Sequence, residues 1–191
     1  MIVQAKNNIR KGAADSMIFC GYTVAIVAII NFVLLNVLDK PYQSYWIWLL
    51  MIPMTFINFL IDKKKEKESM VRTHIDKVVW GIWRAFVISV VLLLGTVFAL
   101  VYIANSWALA LVFTPLFLIL MGLAQFVTAT ACRFKPYYYG AYVFWAGVAV
   151  CVGSFVVFAR ADVQFIILAL CMVFGFCVPG HIINRKAEQY V

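Results

Sequence analysis

Six apolar runs follow one another along this chain, at residues 17–38, 43–61, 78–104, 107–131, 137–159 and 163–183. Each is close to the roughly 20 residues an α-helix needs to cross a hydrocarbon layer. The connections are polar and short except for one, residues 62–77, which read DKKKEKESMVRTHIDK. The pattern predicts an all-α polytopic membrane bundle of six transmembrane helices in a single domain over residues 1–191.

The first run follows a basic start (Lys6, Arg10, Lys11). It is longer than the apolar part of a signal peptide and lacks a small-residue cleavage site, so it reads as an uncleaved first helix. Pro41 ends the turn after it. Pro53 lies mid-way along the second run and predicts a kink, which neighbouring helices in a bundle can accommodate. Val71, Ile75, Val78, Ile82 and Phe86 recur at spacings of four, three, four and four. The third helix is therefore expected to begin as an amphipathic segment outside the hydrocarbon and to run unbroken to Ala104. Tyr45, Trp46 and Trp48, then Trp80 and Trp83, then Tyr137, Tyr138, Tyr139 and Tyr142 stand near run ends, where aromatic belts form.

Composition removes the soluble alternative. Hydrophobic residues are 65% of the 191, charged residues 13%, and the mean hydropathy is +0.96. A soluble domain carries about 45–50% apolar and about 25% charged residues. A chain of this size also leaves much of its surface outside any core.

Charge then orients the bundle. The N-terminus, residues 62–77, the fourth–fifth connection and the C-terminus hold thirteen Lys and Arg, while the three alternate turns hold only Lys40 and Arg160. That asymmetry places both termini in the cytoplasm, in a plasma membrane of the bacterial inner type. The formal charge of +8 is spread between apolar runs, with no helix-turn-helix or zinc spacing, and so does not indicate nucleic acid. The five cysteines include no C-x-x-C pair and read as free thiols inside or at the end of apolar runs.

Catalytic and proton-coupled membrane proteins keep acids or histidines within their spans, where each is costly. No Asp, Glu or His falls at mid-depth in any run, and His74 and His181 are far apart and near run ends. H-E-x-x-H, G-x-S-x-G and P-loop patterns are missing too. The chain reads as a non-enzyme with no cofactor and no metal. The milder polar residues Asn31, Asn58, Ser89, Thr96, Thr114, Gln125, Thr128 and Ser154 are expected to bond between helices. Gly95 with Ala99, and Ala149 with Gly153, make small-xxx-small pairs suited to packing within the bundle or to a homodimer.

Two groups of residues are candidate sites. Lys63, Lys64, Lys65, Lys67 and Arg72 are placed to contact anionic lipid or a partner protein at the cytoplasmic face. Arg84 is the only charge well inside a run; measured from the turn at Asn105-Ser106, it lies within about 3 Å of the depth of Gln125. An inward polar cluster of Arg84, Gln125 and Asn58 is expected, tying helices together or receiving an anionic headgroup. The leading functional reading is a membrane subunit that engages a partner protein or anionic lipid through residues 62–77. The alternative is a small binding or transport protein for an uncharged or amphiphilic solute. In size and span number the chain is similar to the substrate-capturing subunits of some bacterial vitamin importers, a likeness of architecture carried by no motif.

Overall fold

The computed structural model describes residues 14–38, 41–68, 74–158 and 162–188, and all of its regular structure is helical. In chain order the elements are α1 (Asp15–Val37), a first 3-10 segment (Pro41–Leu50), α2 (Met51–Glu68), α3 (His74–Ala104), a second 3-10 segment (Trp107–Val112), α4 (Phe113–Cys132), α5 (Lys135–Phe158), α6 (Val163–Met172), a π segment (Val173–Cys177) and α7 (Val178–Glu188). Six stretches are long and apolar enough to cross a membrane: Asp15–Val37, Gln43–Ile61, Lys77–Ala104, Leu109–Cys132, Lys135–Val157 and Val163–Arg185. The sixth is the continuous rod of α6, the π segment and α7.

Six hydroxyls inside the spans are satisfied within their own helices, as a medium without water favours. Thr23, Thr55, Thr96, Thr128 and Thr130 each donate to the carbonyl four residues earlier, and Ser154 donates to the Cys151 carbonyl. The expected inter-helix bonds of Thr96, Thr128 and Ser154 are thus replaced by bonds to their own backbone, a partner available at every such position.

Two helix ends use the same device on opposite faces of the bundle. After α3, Asn105 adopts φ 48° and Ser106 N–H donates to the Val101 carbonyl at 3.3 Å. After α4, Arg133 adopts φ 50° and Phe134 N–H donates to the Ala129 carbonyl at 3.3 Å. These six-to-one bonds satisfy carbonyls left over at a helix end. Asn visits the left-handed region readily, whereas Arg carries the full Cβ penalty.

The second span is not one kinked α-helix. It starts as ten residues of 3-10 helix and becomes α-helical at Met51, which puts Pro53 in the first turn of α2. Three residues per turn line Tyr45 up with Trp48, and both rings rest on Phe165, with centroids 6.4 and 6.3 Å away. The aromatic contact and the proline explain the change of winding.

Neighbour relations follow a simple order: α2 packs on α1, α1 on α6, α6 on α5, α5 on α4, and α4 on α3. Although consecutive in sequence, α2 and α3 do not pack against each other among the described residues. The core runs through the middle of this series, with Val24, Ala28, Leu118, Met121, Phe144, Cys151, Leu168, Met172 and Phe176 in one buried cluster. Trp83 and Phe86 reach it from α3: Trp83 lies 5.5 Å from the Phe176 ring, and Phe86 lies 5.9 Å from Phe117 of α4. Trp83 therefore points inward and only Trp80, 64% exposed, faces out as an interfacial residue would. Among the cysteines, Cys151, Cys171 and Cys177 are buried free thiols, while Cys132 is exposed.

Candidate functional site

Asn31, Ser44, Thr114, Gln125, Thr128, Ser154 and Gln164 are buried polar side chains, and Gln125 meets the π segment. A π turn inserts one extra residue and disturbs the regular backbone ladder, often at functional positions. Here the carbonyl of Gly175 accepts a 2.7 Å hydrogen bond from Gln125 Nε2, which joins α4 to the sixth span. Gly140 of α5 lets the three elements meet: a Cβ there would strike both the Gly175 carbonyl and the Gln125 side chain. Gln125 has no exposed surface, and its Oε1 has no partner. The Cys177 thiol donates to the Ile18 carbonyl at 3.8 Å, so α1 docks on the same segment.

A second buried carboxamide, Asn31, lies on α1. Asn31 has no exposed surface, and neither its Nδ2 nor its Oδ1 has a hydrogen-bond partner. Five residues on, the exposed Asn36 donates to Asp162 at 3.2 Å and ties the end of α1 to the turn before α6. At about 100° per residue, Asn31 is turned about 20° from Val24, seven residues back, which belongs to the buried core cluster. Ser44 on the first 3-10 segment is also fully buried.

The expected cluster of Arg84, Gln125 and Asn58 is not formed. Arg84 is exposed, with its guanidinium carbon 5.2 Å from the centroid of Trp80, one turn back on the same helix. Gln125 bonds the π segment instead. Phe117, eight residues before it, rests its ring on Phe86 of α3, and eight residues rotate a helix by about 80°. The two side chains share a depth but not a side. Asn58 is half-buried on α2, a helix that reaches neither α3 nor α4, and its Oδ1 is without a partner.

Of the basic residues, Lys63 is exposed with its ammonium 5.9 Å from the Phe59 ring centroid. The side chains of Lys64, Lys65 and Lys67, and the whole of Arg72 and Val71, lie outside the described residues. Of the small-residue pairs, Gly95 and Gly153 have nothing within 4 Å of the position a Cβ would take, so neither packs within the bundle; Gly81 on α3 is equally open. Among the described residues no group of His, Cys, Asp or Glu is arranged to hold a metal ion.

The π segment, its bond to Gln125 and the burial of Asn31 had no sequence signal beyond the presence of Gln125 and Asn31 themselves. No family model matches the chain, and neither a curated protein nor a solved structure matches it. Its six apolar helices are compatible with a multi-pass membrane protein.

Proposed function

We propose that this protein is a non-enzymatic multi-pass membrane subunit, with both termini in the cytoplasm of a bacterial plasma membrane. It engages a partner protein or anionic lipid through the side formed by α2, residues 62–77 and α3. One observation carries the reading: the two helices flanking the basic segment are the least buried of the six spans and do not pack together. Only 6% of the second span, Gln43–Ile61, and 11% of the third, Lys77–Ala104, is buried, against 61% of the sixth. Gly81 and Gly95 leave the outward side of α3 open to close approach by another helix. Each lysine or arginine near an anionic leaflet adds about 1 kcal/mol within a Debye length.

Purification in mild detergent, followed by protein and lipid mass spectrometry, tests this. Changing Lys63, Lys64, Lys65 and Lys67 together to Gln is expected to lower recovery of one co-purifying protein or of anionic lipid. The identity of what is lost separates the two sources. Unchanged recovery of both, with orientation preserved, contradicts the proposal.

A further inference from the structure

The turn between α4 and α5 lies at the same end of the bundle as residues 62–77. Arg133 caps α4 and Lys135 begins α5, and both side chains are exposed. No Asp or Glu occurs anywhere in residues 105–161. Arg133 also holds the left-handed backbone, at φ 50°, a conformation that glycine adopts freely and that charges other side chains for their Cβ. An arginine kept at such a position points to a use for its guanidinium that outweighs the strain.

Beside the two cations lies a built aromatic surface. Lys135, Tyr139 and Tyr142 stand at i, i+4 and i+7 on α5, one side of the helix, and the two rings are 69% and 54% exposed. Across the seam, Phe126 of α4 meets Tyr138, Tyr142 and Trp145, with centroids 5.2, 6.5 and 5.6 Å away. The Tyr138 hydroxyl donates to the hydroxyl of Thr130 at 3.2 Å, and Thr130 is exposed. From Lys135 to Trp145 the rings descend along α5 by about 15 Å at 1.5 Å per residue. That is deeper than the headgroup level at which aromatic belts sit.

We infer that the α4–α5 seam binds one anionic phospholipid, with its phosphate between Arg133 and Lys135 and its upper acyl chain along Phe126, Tyr142 and Trp145. The planar fork of arginine matches a pair of phosphate oxygens, and lysine adds a point charge. Tyrosine and threonine hydroxyls both donate and accept, which suits the glycerol and ester oxygens below the phosphate. A zwitterionic headgroup brings a cation of its own, and residues 105–161 contain no acid to receive it. This site goes beyond the docking side proposed above and uses none of its residues: among the described residues, α5 packs on neither α2 nor α3.

Photocrosslinking in vesicles of equal parts phosphatidylglycerol and phosphatidylcholine tests the inference. A photoreactive amino acid replaces Val127, which is exposed on α4 near Thr130, and every aromatic ring stays in place. In otherwise wild-type protein, phosphatidylglycerol adducts are expected several-fold above that lipid's share of the vesicle. Arg133→Gly combined with Lys135→Gln relaxes the left-handed turn while removing both cations, and should bring the adducts down to the vesicle composition. Changing Lys63, Lys64, Lys65 and Lys67 to Gln should leave the enrichment as it was, so this site and the docking side fail separately. Adducts that merely follow the vesicle composition in the otherwise wild-type protein overturn the inference. So does an enrichment that survives the loss of Arg133 and Lys135, or one that falls as far in the four-lysine variant.

Discussion

The sixth span and the second are both apolar enough to cross a membrane, yet 61% of one is buried and 6% of the other. Hydropathy does not separate them; small residues at crossings do. Around the sixth span, Gly140 and Gly175 bring backbones together, Gly147 receives the Cys171 thiol, and Gly21 receives the Cys177 thiol. Residues 43–61 contain no Gly, Ala or Cys, and α2 finds only α1. Lipid tails are as apolar as leucine, so burial of apolar surface gives helices no reason to associate, and close packing must supply it. α3 shows that small residues act only when they face a partner, because Gly81 and Gly95 look outward into open space.

The largest expected effect breaks the tight half of this comparison. Gly140→Val should lower stability in detergent by about 3 kcal/mol, since overpacking a backbone crossing displaces the Gly175 carbonyl and the Gln125 amide together. Gly95→Leu, on the open half, should change it by less than about 0.5 kcal/mol. Thermal unfolding of both variants side by side checks the pair, and similar losses would show that the outward face of α3 packs within the bundle.

Gln125→Leu comes next. It leaves the Gly175 carbonyl unpaired and should cost about 1–2 kcal/mol, at the upper end for a hydrogen bond between membrane helices. Gln125→Met, which loses the donor while keeping much of the shape, should lose about as much; unfolding curves that match the wild type would deny the bond any weight.

Arg133→Gly runs in the opposite direction. Relief of the left-handed strain should gain up to about 1 kcal/mol, part of it offset by the entropy of glycine in the unfolded chain. Asn105→Gly should gain less, because Asn tolerates that region. A loss of stability in Arg133→Gly would mean that the arginine side chain contributes more than its backbone costs.

Six helices were legible because each depends only on length and apolarity, quantities written directly in the sequence. The unbroken third helix, from His74 to Ala104, followed from its regular apolar spacing. Azimuth was not legible. In runs apolar on every side no stripe marks the inward face, so equal depth placed Arg84 beside Gln125 although the two point different ways. Trp83 and Trp80 show the same limit, three residues apart with one turned in and the other out. Helix winding was also hidden: Pro53 signalled a disturbance, but only the contact of Tyr45 and Trp48 with Phe165 explains why it takes the form of a 3-10 run.

The smallest expected effect concerns Arg84. Stacked over Trp80 at an exposed site, it contributes about 0.5–1 kcal/mol at most. Arg84→Leu and Arg84→Lys should therefore both stay within that range in unfolding assays, and a much larger loss for Leu alone would restore an inward partner.

The claim that α2 and α3 form the docking side while α1 and α4–α6 form the core is tested most directly by photocrosslinking in the native membrane. A photoreactive amino acid is placed in turn at four exposed positions: Phe56 on α2, Leu92 on α3, Ile29 on α1 and Val156 on α5. A defined protein or anionic-lipid adduct is expected at residues 56 and 92 and at neither of the other two. The same adducts at all four positions, or adducts at residues 29 and 156 alone, would contradict the account.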